Sequence, residues 1–226
     1  MIYLLGIGPG DPELVTVKAA RIMREADLVY IPKTGERDSI SEIITAPYVD
    51  EDKKKVVSIP MALGHDKSEE AYGEIAAEIA ALAAKGKSIA FVTLGDSMLY
   101  STARYLARHL KKLGTAYEFV AGVPSYVAAA NRAEISLGDL KERFMVSPMP
   151  DTMEELCALP TDFATVVLMK IGHRLPLLLD YIKKYPPHEA VLVHRLHLPG
   201  EEIFDLLTSD NLPVDVGYLS LAVIRL

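Results

Sequence analysis

Residues 2–32 read IYLLGIGPGDPELVTVKAARIMREADLVYIP, and this stretch decides the fold. The apolar run 2–7 has the length and composition of a buried strand, and it leads into the Gly- and Pro-dense turn Gly6-Ile7-Gly8-Pro9-Gly10-Asp11-Pro12. Residues 17–26 then place apolar side chains at helical spacing, with Thr16 positioned to cap the first turn. A second apolar run, 28–32, is ended by Pro32. Strand, helix and strand in this order are the unit of a parallel sheet, which assigns the chain to the α/β class.

The same alternation continues outward. Strands are expected at 56–60, 88–94 and 117–120, with helices at 68–85 and 100–113 that stop at Gly86 and Gly114. The second half restarts with an Ala-rich helix at 125–133. Strands follow at 144–148, 164–170, 190–196 and 218–225, separated by helices at 151–159, 173–184 and 201–208. The last strand contains no Gly or Pro, so it is expected inside a sheet. The strand count puts a change of domain near residues 115–122, giving domains 1–118 and 119–226.

With 226 residues, the chain has room for one large core or two small ones. Half of it is apolar and 24% is charged, as in soluble globular proteins. Its single cysteine, Cys157, excludes an internal disulfide and a cysteine-pair metal site, and no metal is expected. No apolar run is long enough for a bilayer, and Met1 leads into a strand without a basic leader, so a cytoplasmic protein is expected. A net charge of −7 argues against nucleic acid as a partner and requires a local basic patch for any anionic ligand.

Two turns carry the chemistry. A Gly-rich turn at the carboxyl end of a strand lets a ligand approach the backbone. In residues 6–12, however, Asp11 stands where a dinucleotide fingerprint has its third glycine, and Pro9 and Pro12 lack N–H donors. A pyrophosphate needs such donors and is repelled by the carboxylate, so the loop suits a ligand without phosphate, the alternative being an ordinary tight turn. The second turn, Leu94-Gly95-Asp96-Ser97-Met98-Leu99-Tyr100-Ser101-Thr102, also joins a strand to a helix. There Asp96 is either an acceptor for ribose hydroxyls or a helix cap. S-adenosylmethionine has a ribose, an amino-acid tail and a sulfonium without phosphate, and it fits both loops better than NAD or ATP.

The stretch GIGPGDPELVTVKAARIMREADLVYIP resembles the first signature of the tetrapyrrole methylases. TLGDSMLYST and VAGVPSYVAAANRAEISL are similar to that family's second and third signatures. Within the family, IPK at 31–33, PM at 60–61, GDSMLYST at 95–102, MKIG at 169–172 and the ending YLSLAVIRL resemble the C20-methyltransferases of precorrin-2 or cobalt-factor II. Three positions depart from the pattern: Ser97 and Ala121 replace prolines, and Pro124 replaces a hydroxyl residue. Pro32 stands where the related uroporphyrinogen methylase has an acidic residue, which argues against that earlier step.

The resemblance implies two α/β domains with the cofactor in the cleft between them, usually as a homodimer. It implies direct methyl transfer from S-adenosylmethionine to a carbon of the macrocycle, without a covalent enzyme intermediate. Carried over residue by residue, it gives Pro9, Gly95, Asp96, Leu99, Ser101, Thr102, Ser125 and Met169 as cofactor contacts. The catalytic proton acceptor is unassigned. A substrate with eight carboxylates calls for cations, and Lys33, Arg37, Arg104 and Arg132 are the first choices beside strand ends. Lys170, His173, Arg174 and Arg195 are further candidates, and in HRLH the histidines 194 and 197 flank Arg195. Competing readings are another precorrin C-methyltransferase, a diphthine synthase, a nucleotide-dependent oxidoreductase or a non-catalytic binding module.

Overall fold

The computed structural model describes residues 1–33, 39–60, 65–209, 212, 213 and 215–226, with residues 65–67 described by their backbone alone. It contains two units, Met1–Pro124 and Ser125–Leu226, each built around its own five-stranded sheet.

In the first unit, β1 (Ile2–Gly6), β2 (Leu28–Lys33), β3 (Lys54–Ser58), β4 (Ile89–Thr93) and β5 (Tyr117–Val120) form an all-parallel sheet in the order β3-β2-β4-β1-β5. Its helices are α1 (Val17–Glu25), α2 (Ile40–Thr45), α3 (His65–Ala84) and α4 (Ala103–Lys112). The central strands β1 and β4 and most of β2 are apolar because both of their faces are covered, whereas β3 (KKVVS) is not. Leu5, Val29, Ile31, Ala90 and Val92 pack into one core with Ala19, Ile22 and Met23 of α1. Ile2, Leu4, Tyr30, Ile89 and Phe91 face the opposite core, which contains Leu106 and Leu110 of α4. The two-residue alternation of a strand thus feeds two separate cores. Thr16 caps α1 as expected, its side chain accepting from the Ala19 amide at 3.2 Å.

In the second unit, α5 (Ser125–Arg132), α6 (Met153–Cys157) and α7 (Leu175–Lys184) accompany a sheet of mixed direction. Its strands are β6 (Phe144–Pro148), β7 (Thr165–Met169), β8 (Glu189–His194), β9 (Glu202–Asp205) and β10 (Ser220–Arg225). The order is β6-β7-β10-β8-β9, with only the β6–β7 pair parallel. The last strand, expected within a sheet, lies at its centre, so β7 and β8 point one way and β10 runs back between them.

Two expectations are corrected, and one short helix is new. Residues 201–208 do not form a helix, because Glu202–Asp205 pair antiparallel with β8. The segment EEIFDLL has good helix formers at helical spacing, but the open edge of β8 offers a ladder of backbone bonds that outweighs local propensity. The strand expected at 190–196 ends at His194, since Arg195 and His197 have φ of 50° and 56° and turn the chain. No strand period therefore aligns His194, Arg195 and His197 on a shared edge. The short α2, at 40–45, was not expected.

Candidate active site

The carboxyl ends of β1, β4 and β5 meet at three glycines. A Cβ on Gly122 would lie 2.3 Å from the Gly95 carbonyl oxygen and 2.6 Å from the Gly6 carbonyl carbon, both backbone atoms. On Gly6 it would lie 2.6 Å from the Gly122 nitrogen. At Gly6 and Gly122 only glycine allows the loops to touch main chain to main chain. Hydrogen bonds fix the contact: the Gly8 amide donates to Gly95 at 3.1 Å, and the Gly95 amide donates to Gly8 at 2.8 Å. Gly95 itself has φ of 67°.

Asp96 unites the second and third loops. Its Oδ1 accepts from the Met98 and Leu99 amides at 2.8 and 3.2 Å, and its Oδ2 accepts from the Gly122 amide at 3.1 Å. The carboxylate is thus a turn cap and an interloop tie at once. Ser101, and not Thr102, caps α4 with its side chain: its hydroxyl accepts from the Ala103 amide at 3.1 Å and lies 3.2 Å from the Thr93 hydroxyl. Thr16 adds a link from the first loop to the third, its hydroxyl lying 3.5 Å from the Ala121 carbonyl.

The first loop has few amides to offer a phosphate. Those of Ile7, Gly8, Glu13, Leu14 and Val15 are bonded within the protein, and Pro9 and Pro12 have none. Asp11 caps the short turn Pro12–Leu14. The loop therefore lacks the fan of free donors that binds pyrophosphate.

The second unit has a rim of its own, where β7 and β8 end and β10 begins. Met169 closes β7, half-buried, and pairs with Leu221. Lys170 follows with φ of 60°, its ammonium 5.3 Å from the centre of the exposed Tyr218 ring. Arg174 turns its guanidinium back onto the Met149, Lys170 and Ile171 carbonyls and the Asp151 carboxylate. The Nδ1 of His194 is buried with no hydrogen-bond partner among the described residues. Burial, reinforced by the neighbouring Arg195 charge, holds the His194 pKa below its ordinary value, against an upward pull from Glu202 and Asp215. An open pocket of about 440 Å³ beside Asn131, Glu134 and Phe144 adjoins the amino end of β6, away from Met169.

The structure gathers Pro9, Gly95, Asp96, Leu99, Ser101 and Thr102 on two adjoining loops of the first unit. Ser125 opens α5 and Met169 ends β7, both in the second unit. Among the substrate cations, Lys33 ends β2, and Arg104 lies exposed on the first turn of α4 with no ion pair among the described residues. Arg132 lies at the end of α5, its Nε 3.4 Å from Glu201. Arg37 lies outside the described residues. Arg195 donates to the Pro199 carbonyl at 2.7 Å, so it is engaged within its own turn. Sequence reasoning did not find Gly6 and Gly122 as contact points, nor the second oxygen of Asp96. Glycine at the ends of β1 and β5 was the available signal. No group of three or more His, Cys, Asp or Glu among the described residues could hold a metal ion, and no described helix is long and apolar enough to cross a membrane.

The family model for tetrapyrrole (corrin/porphyrin) methylases matches residues 1–210. A cobalt-precorrin-2 C(20)-methyltransferase of Salmonella typhimurium is 31% identical over 99% of this chain and 95% of its own length. A precorrin-2 C(20)-methyltransferase of Sinorhizobium sp is 28% identical over 76% of this chain and 74% of that relative. The crystal structure of uroporphyrin-III C-methyl transferase from Thermus thermophilus complexed with S-adenyl homocysteine matches with a TM-score of 0.65. It is 21% identical and covers 99% of this chain and 96% of that one.

Proposed function

Since this chain belongs to the tetrapyrrole methylases and is an S-adenosylmethionine-dependent methyltransferase of that family, we propose that it methylates C20 of a precorrin-2-type macrocycle in cobalamin biosynthesis. The observation that carries the methyl-donor part of the reading is the glycine-joined rim of the first unit, where the Ile7, Gly8, Gly95 and Gly122 amides are bonded within the protein and few remain for a phosphate. Similarity to the cobalt-precorrin-2 enzyme is both higher and more complete than to the metal-free one, which favours the cobalt-bearing substrate, cobalt-factor II. The homodimer is taken from the resemblance.

S-adenosylmethionine supplies an electrophilic methyl on sulfur, and the macrocycle carbon is the nucleophile. No protein nucleophile is needed, so the protein's contribution is to hold donor and acceptor in line and exclude water. The Gly95–Thr102 loop, stiffened by Asp96, would hold the ribose and tail, with Pro9 beside it. Ser125 and Met169 are the second unit's contribution. Lys33, Arg37, Arg104 and Arg132 are the proposed partners of the substrate carboxylates. Of the described ones, Arg132 lies 3.4 Å from the Glu201 carboxylate, whereas Lys33 and Arg104 have no ion pair with a described carboxylate and are the better candidates.

Calorimetry with S-adenosylhomocysteine and, separately, NAD tests the reading. S-adenosylhomocysteine is expected to bind and to raise the melting temperature, since it stabilises the folded state by mass action. Binding of NAD without binding of S-adenosylhomocysteine contradicts it.

A further inference from the structure

We infer that Arg174 is a positioning residue for the methyl-donor site, gripping the left-handed turn after β7 and so fixing Met169 at the sheet rim. The inference rests on the reading of Met169 as a cofactor contact.

Arg174 precedes α7, yet its side chain reaches back across the ends of two neighbouring strands. Nη1 donates to the Met149 carbonyl at 2.5 Å and to Asp151 Oδ1 at 2.7 Å. Nη2 donates to the Lys170 carbonyl at 2.5 Å, and Nε to the Ile171 carbonyl at 3.3 Å. Met149 follows β6 and Lys170 follows β7, so one planar guanidinium ties the two strand ends together. An ammonium has no such fork.

The turn requires a grip. Lys170 has φ of 60°, a conformation that costs a residue with a Cβ free energy, and Gly172 follows at 53°. From the other side the Ser220 carbonyl accepts from the Lys170 and Ile171 amides at 2.9 and 3.3 Å, and the Ser220 hydroxyl accepts from the Gly172 amide at 3.3 Å. Lys170 and Ile171 are therefore held from both sides, and Gly172 by Ser220. The ion pair is the lesser part of the arrangement, because the Asp151 side chain is 81% exposed and solvent screens it. What the guanidinium contributes is three carbonyl contacts on a strained backbone, an arrangement suited to holding a ligand contact in place.

The test uses Arg174→Met, Arg174→Lys and Asp151→Asn, each compared with the parent for S-adenosylhomocysteine affinity, for the KM of both substrates and for melting temperature. Amide hydrogen exchange is followed at residues 170–172. Binding is measured well below every melting transition. Losing a half-buried grip of this kind is expected to weaken S-adenosylhomocysteine binding about tenfold in Arg174→Met, with a smaller loss in Arg174→Lys. The KM for S-adenosylmethionine should rise in step, the KM for the macrocycle should not, and the three amides should exchange faster. Asp151→Asn should bind like the parent. Arg174 variants that melt earlier but bind S-adenosylhomocysteine with parental affinity would overturn the inference. If Arg174→Met does not fold, Arg174→Lys decides by the same criterion. A parent that fails to bind S-adenosylhomocysteine would overturn the functional reading itself, an outcome distinct from parental binding lost or kept in the variants.

Discussion

In the first unit the strand ends are joined by backbone, with Gly6, Gly95 and Gly122 in contact and Asp96 tying their loops together. In the second unit the corresponding rim is held by side chains. Lys170, Arg195 and His197 all adopt positive φ, and the Arg174 guanidinium and the Ser220 hydroxyl and carbonyl hold the turn after β7. The first design removes side chains to bring loops together, whereas the second uses side chains to hold a backbone that would otherwise relax. The first should therefore fail when a side chain is added, and the second when one is taken away.

The largest effect should come from adding one carbon at the glycine junction. Gly122→Ala places its Cβ 2.3 Å from the Gly95 carbonyl oxygen, a backbone atom that cannot swing aside. A loss of about 3 kcal/mol in urea unfolding is expected, at the upper end of overpacking costs. A loss below about 1 kcal/mol would mean that the three loops are not in rigid contact.

Asp96→Asn comes next. An amide can keep one set of acceptor contacts but must turn its NH₂ toward another donor, either Gly122 or the Met98–Leu99 pair. About 2 kcal/mol of stability should be lost, the size of a charged hydrogen-bond network partly unmade. S-adenosylhomocysteine binding should weaken as well. Loss of stability with unchanged affinity would reduce Asp96 to a loop cap.

A matched pair sharpens the contrast with a smaller signal. Gly95 has open space where a Cβ would go but φ of 67°, so Gly95→Ala should cost about 1 kcal/mol from backbone strain alone. His197→Gly, at φ of 56°, relieves the same strain while freeing the unfolded chain, and should stay within about 1 kcal/mol of the parent. Thermal unfolding of both variants checks the pair.

The smallest effect distinguishes the rims by pH. The folded-state pKa of His194 is held below its ordinary 6.5, so the unfolded chain takes up the proton first as pH falls. The stability from neutral His194 is fully present above that ordinary value and is lost as pH drops through it toward the folded value. His194→Asn should remove this component of the pH dependence, as read by melting temperature between mildly acidic and neutral pH.

The first unit was readable from sequence because its devices are residue types with one local meaning. The strand 2–7, the Gly–Pro turn and the Thr16 cap each follow from neighbours a few positions away. Asp96 was readable as a turn residue, but its tie to Gly122 spans 26 positions and depends on which strands are adjacent. In the second unit the same difficulty is general. Arg174 looks like any basic residue before a helix until the ends of β6 and β7 are side by side. Glu202–Asp205 look helical until the edge of β8 is next to them. Of the proposed substrate cations, sequence could name Arg132 but not its neighbour Glu201.

The central claim is methyl transfer to C20 from a donor held at the first unit's rim. Purified protein should be incubated with S-adenosylmethionine carrying a ¹³C-labelled methyl and, in parallel, with cobalt-factor II or precorrin-2, and the product's labelled carbon located by NMR. The account predicts one new methyl at C20, with the faster reaction on the cobalt-bearing macrocycle. A label at another ring position, or no label on either macrocycle from a protein that binds S-adenosylhomocysteine, would contradict it.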